Sequence, residues 1–302
     1  MDSSSSNLLP YFARATEEFK LCPNRVWAVA GGKLPDVMPD NFEPPRGREK
    51  HQQCTFDFCE YSQRDFTAVK QRHECMNGDY TLNETAKSGK STVWALDGKS
   101  MIQPPGPYMA ISHVWSDGTG IGAWPDGEVN ECLYTFFRTI AERFECEGIW
   151  WDTLCIPKGR EARQKAIGNI PSSYQDARIT LVHDLFLRNC EWNEETACFA
   201  IIMSPWFSRG WTAVELAQSR KVKVIFRGPS GPIIKDLDEQ ILAKDDESNG
   251  PRKAASQIIQ NLRKGITNLD HLLAVLGSLP VEVIPPTFYA LIETGILLVS
   301  GK

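Results

Sequence analysis

Residues 204–226 read SPWFSRGWTAVELAQSRKVKVIF, and this stretch organises the chain. Its pattern predicts a loop, a short helix and then a buried strand. Trp211 and Glu215 stand four apart, so a helix stacks them on one face. Val214 and Ala217 fall elsewhere on that helix and can face a core. Lys221 to Phe226 alternates and then turns apolar, as a strand near the middle of a sheet does. An indole and a carboxylate one turn apart, at the mouth of a parallel sheet, exceed what packing alone requires. Glu215 is therefore the candidate chemical centre; the plain alternative is a capping or salt-bridged residue.

Three more strand signals precede this stretch, each separated from the next by helical periodicity. Tyr108 to Trp115, YMAISHVW, is the first strong strand. The loop after it, SDGTGIGAWPDG, holds Gly118, Gly120 and Gly122. That is GxGxG, not the dinucleotide fingerprint GxGxxG, and Pro125 stops a helix from starting there. The glycines still allow backbone amides to approach a ligand closely. Glu128 to Phe144 is expected to be helical, with Val129, Cys132, Leu133, Phe136, Phe137 and Ile140 at helical spacing. A second strand is expected over 148–156, with Asp152 near its carboxyl end, where ligands collect in parallel sheets. Asp152 can equally cap the turn that follows. Glu161 to Tyr174 is expected to be helical, and Asp176 to His183 is the third strand. A further helix is expected over Glu194 to Met203, ahead of the Trp211/Glu215 helix and the fourth strand. Strands alternating with helices predict an α/β fold, a mostly parallel sheet flanked by helices.

The remainder divides into an N-terminal extension over 1–106 and a helical C-terminal extension over 231–302, around a core at 107–230. Leu8 to Leu21 can form an amphipathic helix. Residues 31–50, GGKLPDVMPDNFEPPRGREK, read as an irregular connection. Thr92 to Leu96 reads as a short strand closed by an Asp97-Gly98 turn. Within HQQCTFDFCEYSQRDFTAVKQRHEC (51–75), Cys54, Cys59, His73 and Cys75 can form a structural zinc site. Their spacing is not a common finger spacing, and the other reading is reduced cysteines and a surface histidine on a helix-rich segment. After Gly228-Pro-Ser-Gly231 the chain is expected to turn helical, with Lys253 to Lys264 and His271 to Leu279 at helical spacing.

Composition narrows the class. The chain has 302 residues, 42% apolar and 24% charged, which suits a folded globular protein. A net charge of −5 with no Lys/Arg run argues against a general nucleic-acid binder. The N-terminus has neither a basic start nor an apolar run of signal-peptide length. The segment Phe288 to Val299 is interrupted by Glu293, Thr294 and Gly295, so no membrane span is expected. These features lead to the expectation of a cytoplasmic protein. Nine cysteines, an odd count, then read as reduced thiols, with Cys155 and Cys198 as small core residues. A hydrolase with Cys155 as nucleophile and His113 or His183 as base is a further possibility.

Four blocks, YMAISHVWSDG, GIWWDTLCIP, SSYQDARITLVH and SPWFSRGWTAVEL, follow the order and spacing of the fungal heterokaryon-incompatibility domain, which this chain resembles over about residues 108–226. It departs from that pattern at Pro157, where an Asp-Gln pair is usual, and at Val214, where glutamine is usual. The same blocks look like a Toll/interleukin-1 receptor domain, in which the helix before the fourth strand carries Trp-Cys-x-x-Glu. Trp211 and Glu215 of this chain fall on that motif. The resemblance implies a Toll/interleukin-1 receptor-like sheet and, in enzymatic members, cleavage of NAD+ by that glutamate. It implies Glu215 as the catalytic residue, with Ser112, Trp115, Gly118, Asp152, Arg209 and Trp211 lining the substrate. It also implies a cell-death or nonself-recognition effector that acts on self-association, as a homo-oligomer or with an upstream sensor protein. The alternative is a signalling module without turnover, working through homotypic contacts.

Overall fold

The computed structural model describes residues 5–43, 45, 54–55, 82–102, 105–114, 131–157, 159–207, 209–243 and 250–264. In chain order the elements are α1 (Ser5–Ala13), continued by a wider π-turn at Arg14–Glu18, and α2 (Pro23–Val37). Then come α3 (Leu82–Lys87), β1 (Trp94–Ala95), β2 (Tyr108–His113), α4 (Glu131–Arg143) and β3 (Gly148–Trp150). They are followed by α5 (Asp152–Cys155), α6 (Arg160–Gly168), α7 (Ile170–Gln175) and β4 (Ile179–His183). The last are α8 (Leu185–Asn189), α9 (Ala197–Met203), α10 (Gly210–Gln218), β5 (Val222–Gly228), β6 (Gly231–Asp236), a π-turn at Leu237–Leu242 and α11 (Gly250–Arg263).

The fold is mixed α/β, and its six-stranded sheet has the order β1-β3-β2-β4-β5-β6. The chain forms two compact units, Asp65–His183 with Gln218–Lys223, and Met1–Arg64 with Asp184–Ala217 and Val224–Lys302. The boundary passes through β5.

In the first of these units β2 pairs in parallel with β3, Tyr108 opposite Gly148, and with β4, Met109 opposite Ile179 and His113 opposite His183. Every residue of β2 and β4 is buried, the signature of strands covered on both faces. The crossover from β2 to β3 includes α4, which buries Tyr134, Phe137, Ile140 and Ala141. That set repeats at three and four residues, so one stripe of the helix meets the sheet. Gly148 opens β3 because a Cβ there would come within 2.6 Å of the Trp94 carbonyl on antiparallel β1. Tyrosine hydroxyls fasten the layers: Tyr134 donates to the Ala95 carbonyl at 2.6 Å and Tyr174 to Ile111 at 2.9 Å. Burial pushes the Tyr134 hydroxyl's pKa far up, so it stays a donor. Thr180 Oγ1 meets Ser219 Oγ at 2.6 Å, and Thr180 N–H donates to the Lys221 carbonyl, fixing where β5 begins beside β4.

In the other unit α9 is buried at all seven positions and packs on α2 and α11. Phe42 bridges it to the N-terminal helices, with its ring 5.0 Å from Phe199 and 5.4 Å from Phe19. Helix α11 buries Ala255, Ile259 and Leu262, an apolar stripe at helical spacing. Arg252 at its start, 5% exposed, donates to the carbonyls of Glu194 and Ile241.

Three expectations are corrected. Residues 31–37 are not an irregular connection but the second half of α2. Burial of Leu34 and Val37 there outweighs the poor helix propensity of Gly31, Gly32 and Pro35. The strand expected over 148–156 ends at Trp150, and Asp152 opens a helical turn. The Asp152 carboxylate accepts the Thr153 N–H at 2.6 Å, which bends the chain out of the strand. After Gly228 the chain does not turn helical at once, because β6 comes first. Pro229 and Ser230 form a two-residue turn, and so short a link joins only strands of opposite direction. Asp236 then ends β6 by accepting the Glu239 N–H at 2.7 Å, while Gln240 accepts the Asp236 N–H at 2.8 Å. The segment His271 to Leu279 lies outside the described residues.

Candidate functional site

The loop ahead of α10 is held by side chains rather than by a sheet. Ser204 Oγ donates to the Ile201 carbonyl at 2.7 Å and accepts the Phe207 N–H at 3.2 Å. The Trp206 N–H donates to Asp184 Oδ2 at 3.0 Å, and Asp184 Oδ1 caps α8 through the Leu187 N–H at 2.9 Å. Asp184 is 0% exposed, so this carboxylate sits out of water and ties two backbone segments together. The Thr212 hydroxyl faces the carbonyls of Trp206 and Arg209. It locks the first turn of α10 to the loop.

On α10 itself Thr212, Ala213, Val214 and Leu216 are buried. Trp211 and Glu215 are half-buried on the opposite face, as the spacing predicts, and Ala217 is half-buried rather than in the core. Arg209, also half-buried, leads into the helix. At the far end the Leu216 carbonyl accepts Arg263 Nη1 at 2.7 Å, and Arg263 forms a two-point ion pair with Asp238 at 3.1 and 2.6 Å. Arg209, Trp211 and Glu215 thus share one helix and its entry loop, in the same unit.

Ser112 and Asp152 belong to the sheet-bearing unit. Ser112 is 0% exposed. Asp152 Oδ1 lies 2.5 Å from His113 Nε2, and the His113 side chain is 2% exposed. An ionised carboxylate only accepts, so toward ionised Asp152 it is the Nε2–H that donates. Phe137 stands edge-on between Trp151 at 5.1 Å and His183 at 5.2 Å, linking the carboxyl ends of β3 and β4 with aromatic contacts. Asp152 is therefore a structural brace whatever else it touches. Asp152→Ala is expected to cost about 2–3 kcal/mol, because the buried imidazole loses a charged acceptor. Asp152→Asn, which keeps an acceptor oxygen, is expected to cost about 1 kcal/mol. Urea unfolding of the full chain measures both.

Cys155 is a core residue. It is 0% exposed, its sulfur accepts the Trp151 N–H at 3.3 Å, and burial pushes its thiol's pKa far up. A protonated thiol with no surface is not a nucleophile. Cys198 is likewise buried, whereas Cys132 on α4 is exposed. Iodoacetamide is expected to modify Cys132 in the native protein and to reach Cys155, Cys190 and Cys198 only after denaturation, read by peptide mass spectrometry.

Trp115 and Gly118 lie outside the described residues, as do Cys59, His73 and Cys75 of the expected zinc site; Cys54 is described and half-buried. Among the described residues no group of three or more His, Cys, Asp or Glu could hold a metal ion. No helix among them is long and apolar enough to cross a membrane. Two side chains that build the α10 site were not singled out in the sequence. Asp184, directly between a strand and Leu-Phe-Leu, carries a helix-cap signal. Arg263 carries none, because its contact with Leu216 spans 47 residues. Comparison with models of protein families, with characterised proteins and with solved structures gives no match.

Proposed function

We propose that this chain hydrolyses NAD+ at the bond between nicotinamide and ribose, with Glu215 as the catalytic carboxylate. The observation that carries the reading is the face of α10, where Glu215 and Trp211 stand half-buried one turn apart while Thr212, Ala213, Val214 and Leu216 of the same helix are packed. The four sequence blocks that resemble heterokaryon-incompatibility and Toll/interleukin-1 receptor-like domains supply the substrate class.

The chemistry suits a single acidic group. The C1′–N bond breaks with its electron pair moving to the pyridinium nitrogen, so nicotinamide leaves neutral and needs no general acid. Positive charge develops on the ribose, and a carboxylate beneath that ring stabilises it in a site of low dielectric. Water then adds to C1′ and releases a proton to solvent, giving ADP-ribose. Trp211 offers an aromatic face for nicotinamide or the ribose, and Arg209 a guanidinium for the phosphates. In this reading the protein is a cytoplasmic effector of cell death or nonself recognition, active as a homo-oligomer. Incubating the full chain with NAD+ and measuring free nicotinamide by chromatography, wild type beside Glu215→Gln, tests it.

A further inference from the structure

Glu215 lies in the last turn of α10, a helix of nine residues. Isolated helices of that length are not self-supporting, and their ends fray first. The last four carbonyls have no partner within the helix. A carboxylate is also the wrong charge for this end, since the helix dipole favours cations there. No basic residue occupies the last turn of α10. The missing cation comes from elsewhere: Arg263, at the end of α11, donates to the carbonyl of Leu216, the residue next to Glu215. Its guanidinium is held in aim by the two-point pairing with Asp238, which follows β6 in the π-turn. The Arg263 side chain is 14% exposed and that of Asp238 41%, so the fork is partly withdrawn from water. Docking α11 does not require this arginine, because Ala255, Ile259 and Leu262 already form its apolar face.

We propose that Arg263, aimed by Asp238, is a positioning residue that fixes the last turn of α10 and with it the Glu215 carboxylate. The catalytic part of this assignment rests on the NAD+ reading; the mechanical part does not. The test uses the full chain with Arg263→Gln, Arg263→Lys and the milder Asp238→Asn. In Arg263→Gln, amide exchange of peptides covering 210–218 is expected to accelerate about tenfold, with peptides covering 108–113 and 179–183 unchanged. For NAD+ cleavage, kcat is expected to fall at least tenfold, because small misplacements of a reacting group cost that much, while KM stays within about twofold. Lysine restores the charge without the fork and is expected to recover part of both effects, and Asp238→Asn to give smaller changes in the same direction. Unchanged exchange in 210–218 for Arg263→Gln and Asp238→Asn overturns the proposal, as does acceleration spread evenly over both units. Faster exchange with unchanged kcat overturns the positioning of Glu215. Absence of nicotinamide release from the wild type counts against the NAD+ reading, and the exchange measurement still decides whether Arg263 holds α10.

Discussion

Glu215→Gln is expected to lower NAD+ turnover by about 10²–10³-fold, the usual cost of removing one group aimed at transition-state charge. Glutamine keeps the length and shape of the side chain and removes only the negative charge, which matters when the ribose becomes cationic. The loss should therefore appear in kcat, with KM nearly unchanged. Glu215→Asp retains the charge but withdraws it by one methylene, and an intermediate loss of about 10–10²-fold is expected. Neither change touches the buried residues Thr212, Ala213, Val214 and Leu216 of the same helix. Nicotinamide release and differential scanning fluorimetry on the same preparations separate chemistry from folding. Turnover that survives Glu215→Gln removes this carboxylate from the reaction. Absence of release from wild type and variant alike, in protein shown to be folded and self-associated, favours a module that signals by contact alone.

The parts of this fold that were legible in the sequence are those where several local signals agree. β2 (YMAISH) and β4 (ITLVH) are mostly apolar runs of six and five residues, and both are strands with a parallel register. The α10–β5 segment combines a helical period with an alternating one, and the change of period marks the junction near Ser219. Where one signal opposes another, local reading fails. Gly31, Gly32 and Pro35 argue against helix, yet Leu34 and Val37 gain enough burial to carry α2 through them. The apolar run after Trp150 looks like strand, but Asp152 accepts the Thr153 N–H and the chain turns helical there. The site divides the same way. The shared face of Trp211 and Glu215 follows from the geometry of four residues, whereas the contacts that hold that face in place come from residues far along the chain. The Asp184–Trp206 contact spans 22 residues and the Arg263–Leu216 contact 47.

Among the stability predictions, Asp184→Ala is expected to have the largest effect, about 3–5 kcal/mol, from leaving two buried N–H groups without their charged acceptor. Asp184 is 0% exposed, so no solvent reaches the gap that the substitution leaves. The Leu187 N–H at 2.9 Å and the Trp206 N–H at 3.0 Å both point at its oxygens, one on each. Asp184→Asn separates charge from shape: its single oxygen can satisfy one N–H, and its amide group faces the other, donor against donor. A loss of about 1–3 kcal/mol is expected for it. Asp176→Ala, at an exposed position, serves as the control and should stay within about 0.5 kcal/mol of the parent. Urea unfolding followed by tryptophan fluorescence measures the change, with Trp206, 1% exposed and on the contact being broken, one of the nine tryptophans that contribute. An unchanged m-value is needed for the comparison to hold. The consequence extends to the site, because the Trp206 carbonyl accepts the Thr212 hydroxyl at the head of α10. Loosening Trp206 therefore loosens the helix that carries Glu215, and NAD+ turnover should fall in Asp184→Asn even at temperatures where that variant remains folded. A loss below about 1 kcal/mol in Asp184→Ala would mean that these N–H groups find other acceptors, and that the loop before α10 is held by its packing rather than by this carboxylate.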